Sequence, residues 1–405
     1  MKQQFRELLF SRPFCPYSEY EGMEIDTFTE IILDLFHRDG VYERKSNSAR
    51  KHIQSICLDL IRAYESNPRL YLAYPRSRNS YYIASRYAPE WISHDTMTRV
   101  ADGLSKLGYV EQNKGYIDRT RNKGYLTRIR ATSALIEMMS DSGIRAHKIQ
   151  LSDDYELIRL REPKSGNKKS AYIEYPDNEQ TIRMREALRY INGWLQNSFI
   201  GLHISDSDLN ALNRKFGREA QDNFVDEFQR GPIDFTQKTL YRVFNNTSFE
   251  QGGRFYGGWW QCIPGHLRKH IYIAGPKSNG HASFTREVDY SSMQPALAYA
   301  MQGMSLDNDP YSLEGVPENP VIRNLSKQAL LRMLNTSSRK QAIESLRKEY
   351  PIQGTQLGVP PAGKLIKLLE QRHTPIADLL YSQVGLHLMY QESMIAEKVL
   401  LRMAK

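Results

Sequence analysis

Apolar residues recur with the 3.6-residue period of amphipathic helices through the first third of the chain. Residues 49–67 form one such segment, and another begins after Ser93 or Asp95, either of which can cap it. Gly108 is suited to end that helix, because glycine adopts the left-handed backbone without a steric cost. Two strand-like segments follow, joined by a polar turn at residues 119–124. The pattern therefore predicts helices followed by a β-hairpin.

This helix and hairpin resemble the recognition helix and wing of a winged helix-turn-helix domain. In that fold the helix enters the major groove of DNA while the wing contacts phosphates. Five basic residues within a stretch of twelve favour DNA contact here. A winged helix that contacts only protein would carry the same charges as a solvated surface, so that interpretation stays open. The candidate DNA-binding residues of the hairpin are Arg119, Arg121, Lys123, Arg128 and Arg130.

The overall composition favours a polyanionic partner. The net charge is +9 with a pI near 9.2, and aromatic residues, most of them Tyr, make up 11% of the chain. No run approaches the roughly 18 to 20 apolar residues of a membrane span, and the N-terminus lacks the apolar core of a signal peptide. We therefore expect a cytoplasmic protein with no membrane association. Cys15, Cys57 and Cys262 lack ligand spacing, so we expect buried thiols.

The middle of the chain alternates strand-like, helical and glycine-rich segments. Residues 149–175 contain two strand-like runs, and residues 178–204 predict one long helix, either a thumb-like element or a plain linker. Residues 240–261 hold six Gly or Asn residues among seven aromatics. They predict a glycine-cornered hairpin whose aromatics either form core or stack on bases. Arg254 within it is a candidate for DNA contact.

One carboxylate stands where a strand is predicted to give way to a helix. Residues 286–288 read as a short strand, and residues 294–303 have the apolar spacing of a buried helix. Asp289 lies between them, beside the backbone carbonyl of Tyr290, and hard divalent cations favour such a pair of oxygen ligands. The alternative is that Asp289 simply caps the helix.

The motifs around Asp289 resemble the palm and fingers of family A DNA polymerases, in the compact form found on phages and mobile elements. The resemblance covers roughly the second half of the chain. It rests on the order of four motifs: Q-x-I-P, a basic pair, D-Y-S-x-x-x-P and R-x-x-x-K. Their key residues are Gln261, Arg268, Lys269, Asp289, Arg323 and Lys327.

The resemblance implies a nucleotidyl-transfer site. Asp289 and the Tyr290 carbonyl would hold Mg²⁺, and two metal ions clamp the reacting oxygens in this chemistry. Arg323 and Lys327, one helical turn apart, would grip the triphosphate of a deoxynucleoside triphosphate. Gln294 would abut the sugar of the incoming nucleotide. Arg254, Gln261, Arg268 and Lys269 would contact primer-template DNA.

Three departures from the family pattern accompany the resemblance. Gln294 stands where Glu is usual, and Leu331 stands where the fingers helix carries an aromatic residue. The third motif, His-Asp on a hairpin, is missing, so we expect this chain to lack the second metal-binding aspartate. It would be either a truncated product or a relative without catalysis. Glu392 and Glu397 are expected to face solvent on the last helix.

These observations predict an α+β protein. A winged-helix domain would precede a polymerase-like palm, fingers and thumb region with an antiparallel sheet and helices. The predicted function is that of a DNA-binding replication protein resembling a DNA polymerase, with DNA and deoxynucleoside triphosphates as partners. The alternative is a non-catalytic replication initiator or regulator, and a nuclease using Asp289 with Glu287 is less favoured. The predicted domains are 1–45 (helical), 46–140 (winged helix), 141–240 (connecting strands and thumb-like helix) and 241–405 (palm and fingers).

Overall fold

The chain folds into two compact units, each built from three separate stretches. The structure is a computed structural model that describes residues 10–42, 47–82, 85–119, 123–164, 170–219, 232–275, 281–317, 319–348, 350 and 358–405. Unit 1 comprises Met1–Leu157, Asn192–Tyr241 and Tyr256–Arg286. Unit 2 comprises Ile158–Ile191, Arg242–Phe255 and Glu287–Lys405. The predicted domain bounds, which follow the chain without a break, stay a prediction.

Both units combine helices with small sheets, so the predicted α+β class is confirmed. The described α-helices are α1 (Met23–Arg38), α2 (Asn47–Ser66), α3 (His94–Lys106), α4 (Ser133–Asp141), α5 (Glu179–Gln196), α6 (Asp206–Glu219), α7 (Gly265–Arg268), α8 (Met293–Met301), α9 (Pro320–Asn335), α10 (Arg339–Arg347), α11 (Ala362–Arg372) and α12 (Gly385–Ala404). None of these helices is both long and apolar enough to span a bilayer.

The described strands are short, and most have two to five residues. They are β1 (Ser11–Pro13), β2 (Ser18–Tyr20), β3 (Tyr71–Tyr74), β4 (Val110–Asn113), β5 (Ile117–Asp118), β6 (Lys123–Gly124), β7 (Thr127–Ala131), β8 (Ile149–Leu151), β9 (Ile158–Leu160), β10 (Phe199–Leu202), β11 (Tyr241–Asn245), β12 (Ser248–Tyr256), β13 (Ile271–Ala274) and β14 (Ser283–Phe284). They form sheets with the orders β1-β3-β7-β4, β10-β13-β14, β12-β11-β9, β2-β8 and β5-β6.

The core of unit 1 is formed by the apolar faces of α1, α2 and α3 against the four-stranded sheet. Phe28, Ile32 and Phe36 recur every four residues on α1 and are fully buried. This spacing keeps them on one face of the helix. Truncating a side chain of this kind to Ala costs about 2–5 kcal/mol. The helical period of the sequence therefore predicted this core.

Helix α3 begins and ends as the sequence indicates. Ser93 is the N-cap, and its hydroxyl accepts a hydrogen bond from the Thr96 N–H at 3.4 Å. Gly108 follows the helix with φ +80°, a backbone conformation that a residue with a Cβ rarely adopts. Strand β4 starts two residues later and pairs antiparallel with β7, with Gln112 opposite Ile129. The predicted helix and hairpin are both present.

A buried cluster of charged side chains in unit 1 joins residues that lie far apart in the sequence. The Arg12 guanidinium donates two hydrogen bonds to the Asp59 carboxylate, at 2.9 and 2.8 Å, and its Nε lies 2.5 Å from Asp234. All three side chains are buried. Removing one partner from such a cluster costs about 3–5 kcal/mol, because a buried charge is then left without compensation. Its place in the interior indicates a structural role.

Two predicted elements differ from the structure. Residues 286–288 form no strand, and residues 199–202 are strand β10 instead of the continuation of a long helix. Strand β14 pairs with β13 from Phe284 opposite Tyr272, and the Thr285 N–H still bonds to the Ile271 carbonyl. Because β13 begins at Ile271, the residues after Thr285 have no continuing strand to pair with.

Unit 2 has its own core, formed by α8 to α12. Leu330 of α9, Leu365 and Leu369 of α11 and Leu388 of α12 are fully buried within it. The predicted helix that carries Arg323 and Lys327 is present as α9, which begins at Pro320 after the N-cap Asn319. Proline is favoured at this first position because its missing N–H would have no partner inside the helix.

The glycine-rich segment forms a hairpin of unit 2. Asn246 and Thr247 join β11 to β12 with φ +56° and +58°, the left-handed pair that a two-residue hairpin turn requires. Strand β9 pairs parallel to β11 on its other side. Gly253 has φ +75°, and a Cβ there would lie 2.6 Å from the Phe244 ring. The close approach of the Phe244 ring therefore explains this glycine.

Candidate nucleic-acid and nucleotide sites

Asp289 lies in an exposed turn ahead of α8. Its side chain is exposed, and so is that of Tyr290. The N-cap of α8 is Ser292, so Asp289 does not cap this helix. Ser292 has a left-handed backbone with φ +54°. A non-glycine residue in this conformation costs about 1–3 kcal/mol, and it must be held by surrounding contacts.

Tyr311 lies next to Ser292 and contacts Arg323. Burial raises the pKa of Tyr311, whereas the Ser292 side chain acts to lower it. The Arg323 guanidinium lies over the Tyr311 ring, 5.1 Å from its centroid. Arg323 also donates to the Asp309 carboxylate, at 2.7 Å from Nε and 3.2 Å from the second nitrogen. Tyr311 therefore lies beside both the start of α8, which follows Asp289, and the predicted triphosphate-binding arginine.

A buried histidine binds the backbone next to Asp309. Nε2 of His373 lies 2.9 Å from the Pro310 carbonyl, which must accept, so Nδ1 accepts from the Tyr299 hydroxyl at 3.0 Å. Arg372 donates to the Asp309 carbonyl at 2.7 Å. Burial lowers the pKa of His373 and keeps the ring neutral. These residues have no signal in the sequence, because no local pattern marks contacts across some sixty residues.

The charge of Asp309 follows from its contacts. Burial acts to raise its pKa, but the hydrogen bond and the charge of Arg323 outweigh burial and hold the pKa below its ordinary value. Asp309 is therefore ionised at neutral pH, and Arg323 is engaged in an exposed ion pair. A triphosphate would have to compete with this carboxylate for the guanidinium.

Lys327 and Gln294 stand beside this network with polar atoms still available. Lys327 is exposed one turn after Arg323 on α9, and it forms no ion pair with another described residue. Gln294, in the first turn of α8, has a buried Oε1 with no hydrogen-bond partner within the described chain. Leu331 is exposed on the same face as Lys327. These two predicted nucleotide-binding side chains therefore have polar atoms without a partner among the described residues.

The exposed segment around Asp289 offers oxygen donors of the kind that a divalent cation binds. Asp289 makes no ion pair with another described residue, and its carboxylate and the Tyr290 carbonyl are hard oxygen donors of the kind that Mg²⁺ accepts. Across the described residues, no three His, Cys, Asp or Glu side chains gather at metal-ligating distance.

Three of the four other predicted DNA contacts in the second half have partners within the protein. Arg254 donates to Glu392 at 2.6 Å, and both side chains are partly exposed. Gln261 accepts from the Gly258 N–H at 3.2 Å, and Arg268 donates to the Ile263 carbonyl at 3.0 Å. Lys269 is exposed at the end of α7.

The expected exposure of Glu397 is wrong. Glu397 is buried and pairs with Arg242, which is fully buried, at 2.5 Å. Arg242 also donates to the Ser393 hydroxyl and to the Gly253 carbonyl, both at 2.7 Å. Burial lowers the pKa of Arg242 to about 10, although the charge of Glu397 acts to raise it. Glu397 therefore neutralises an interior arginine, whereas Glu392 is partly exposed.

The basic residues of the predicted wing differ in availability. Arg119 is exposed in the turn after β5. Arg128 is buried and donates to the Leu126 carbonyl at 2.8 Å, so its predicted role at the DNA surface does not agree with its position. Arg130 pairs with Glu111 and lies over the Tyr71 ring, 4.6 Å from its centroid. Arg121 and the Lys123 side chain lie outside the described residues.

Two further arginines, missed by the sequence analysis, lie next to α3. Arg76 donates to both oxygens of Asp102 at 2.7 Å. Arg78 donates to Asp95 at 2.8 and 3.1 Å. Both carboxylates belong to α3, and both arginines come from the segment after β3. Their signal in the sequence is the Arg-Ser-Arg spacing shortly before the predicted helix.

No family model matches the chain, and neither a curated protein nor a solved structure shows significant similarity to it.

Proposed function

We propose that the chain is a DNA-binding replication protein. Unit 1 would bind DNA as a winged helix, and unit 2 would hold a polymerase-like nucleotide site at the start of α8 and on α9. The observation that carries the proposal is the element order α2, β3, α3, β4 and β7, with β7 between β3 and β4 in the sheet. Helix α3 then stands directly before the β4–β7 hairpin, as a recognition helix stands before its wing.

The surface of this hairpin supports DNA contact in part. Arg119 is exposed at its tip, where a guanidinium can reach a phosphate. Arg130 pairs with Glu111 at the surface and Arg128 is buried, so fewer cations remain for DNA than the sequence predicts. The net charge of the chain, +9, still favours a polyanion.

The contacts of Ser292, Tyr311 and Arg323 support the nucleotide site. Tyr311 lies beside Ser292, three residues after Asp289, and contacts Arg323 on the helix that also carries Lys327. Asp289 and the Tyr290 carbonyl would hold Mg²⁺, which when bound would neutralise phosphate charge. Lys327 would contact the triphosphate as a point charge, and Arg323 would leave Asp309 to form a bidentate contact.

A second candidate is a non-catalytic DNA-binding initiator or regulator of replication. The ion pair between Arg323 and Asp309 favours it, because that arginine is already satisfied without a nucleotide. The two candidates differ in nucleotide binding, which the second does not need.

One set of titrations tests both. Anisotropy of a fluorescein-labelled duplex, measured with the full chain at increasing salt, should show affinity falling steeply. Arg119→Ala should reduce the log–log salt slope by about 0.9, the contribution of one phosphate contact. Arg339→Ala removes the same charge from unit 2, where Arg339 pairs with Glu370, and should leave the slope unchanged.

The nucleotide arm uses a fluorescent dATP analogue with Mg²⁺. Lys327→Ala should weaken its binding about 10-fold or more, whereas Lys340→Ala, an exposed lysine on α10, should not. Salt-independent duplex binding would refute the DNA-binding proposal. Equal nucleotide affinity in the two lysine variants would leave only the non-catalytic candidate.

A further inference from the structure

The exposed side of α3 forms one wall of an open groove of about 500 Å³. The segment after α1 forms the opposite wall. The groove carries charges of both signs, unlike a surface that binds only phosphates. Its polar and charged lining residues are Asp95, Thr98, Arg99, Asp102 and Lys106.

Arg99 is held in place but keeps its donors. Its guanidinium lies over the Tyr42 ring, 5.2 Å from the centroid, and its side chain is exposed. Within the part of the chain that the structure describes, Arg99 donates no hydrogen bond. Stacking on an aromatic face leaves the in-plane N–H groups of an arginine directed outward. The Arg99 guanidinium is therefore held in one orientation, with N–H donors that bond to no described residue.

Asp102 is the matching acceptor, one turn further along α3. Arg76 holds its carboxylate through both oxygens, and this hydrogen bonding keeps the pKa of Asp102 below its ordinary value. A carboxylate has about four acceptor positions, and Arg76 occupies two of them. Residues three apart on a helix lie about 5–6 Å from each other, on one face. Donors and acceptors of the groove thus stand side by side.

Two carboxylates on this face argue against a site for phosphate alone. Asp95 and Asp102 would repel a phosphodiester, although Arg78 and Arg76 offset their charge. A base-pair edge, in contrast, presents acceptors and donors together. In the major groove guanine offers O6 and N7 as acceptors, and its cytosine partner offers the N4 amino group as a donor.

We propose that Arg99 and Asp102 read a G·C base pair in the major groove of duplex DNA. Arg99 donates to guanine O6 and N7, and Asp102 accepts from cytosine N4. Lys106, whose ammonium donates to the Asp39 carbonyl at 2.8 Å, contributes a contact that does not depend on the base. The inference rests on the proposed DNA-binding function and adds to it the base pair that is recognised.

The test begins with a pool of duplexes with randomised central positions, selected on the full chain and then sequenced. Selection should enrich a G·C pair at one fixed position. Replacing that pair by A·T in a labelled duplex should weaken binding by the wild-type chain about 10-fold. Arg99→Lys keeps the charge but removes the planar fork, and it should bring the two affinities close together.

Two variants complete the test. Asp102→Asn adds a donor that suits adenine, and it should shift the selected pair away from G·C. Lys106→Ala is the control, and it should weaken both duplexes equally. Thermal melting checks that each variant folds.

The outcomes separate this inference from the proposed function. An unchanged G·C preference in Arg99→Lys would overturn it, as would salt-dependent binding without any sequence preference in the wild type. If the chain bound no duplex at all, the proposed function would fall together with this inference.

Discussion

Removing the charge of Glu397 should destabilise unit 2 far more than removing that of Glu392. Both carboxylates lie on α12 and both pair with an arginine of the β11–β12 hairpin. The Arg242 side chain is 0% exposed, whereas that of Arg254 is 40% exposed. Glu397→Gln leaves a buried guanidinium without a counter-charge, and Glu392→Gln leaves one that water can solvate. The pair of variants therefore isolates the effect of burial.

The magnitude follows from the pKa of Arg242. Burial lowers it to about 10 even with Glu397 present, so keeping the group charged at neutral pH already costs about 3 kcal/mol. Without Glu397 the remaining charge loses its largest compensating interaction. We expect Glu397→Gln to lower the free energy of unfolding by about 3–5 kcal/mol. Glu392→Gln should lower it by about 1 kcal/mol or less.

Urea unfolding followed by far-UV circular dichroism measures both losses. Replacing both partners, with Arg242→Met and Glu397→Leu, should recover a large part of the stability, because no charge is then left in the interior. Equal losses in the two single variants would refute the reasoning. So would a double variant less stable than Glu397→Gln alone.

Two further predictions concern the backbone and pH. Gly253→Ala should lower the free energy of unfolding in urea by about 2 kcal/mol or more, because its Cβ would meet the Phe244 ring. Gly303 has a similar φ of +71° but open space around it, so Gly303→Ala should lower that free energy by about 1 kcal/mol. Similar losses in the two variants would contradict the role given to the ring. Because burial lowers the pKa of His373 below 6.5, stability is fully present above pH 6.5 and is lost as the pH falls through the folded-state pKa. His373→Gln should weaken this pH dependence of the urea midpoint, and an unchanged profile would speak against it.

Local signals predicted the helices better than the strands. The cap at Ser93 and the stop at Gly108 follow from residues within a few positions of each boundary. The helical spacing of Arg323 and Lys327 likewise agrees with α9. A strand needs a partner, and the sequence does not show where that partner ends. Residues 286–288 have the composition of a strand, but β13 leaves them nothing to pair with.

The positions of Arg323 and Lys327 were predictable from the sequence, whereas the contacts around them were not. Their spacing places them on one exposed face of α9. Asp309, which neutralises Arg323, lies fourteen residues earlier in a loop with no periodic pattern. The burial of Arg128 was also out of reach, because local sequence favours exposure for arginine and only tertiary packing reverses it.

The contact between Arg242 and Glu397 has a consequence for synthesis on the ribosome. The two residues are 155 positions apart. At typical rates of about 5–20 residues per second, the nascent chain carries the arginine for roughly 8–30 s before its carboxylate is made. During that time β11 cannot bury its charged side chain at an acceptable energy. The hairpin must therefore stay hydrated until α12 leaves the ribosome. Until then its aromatic residues are accessible to chaperones.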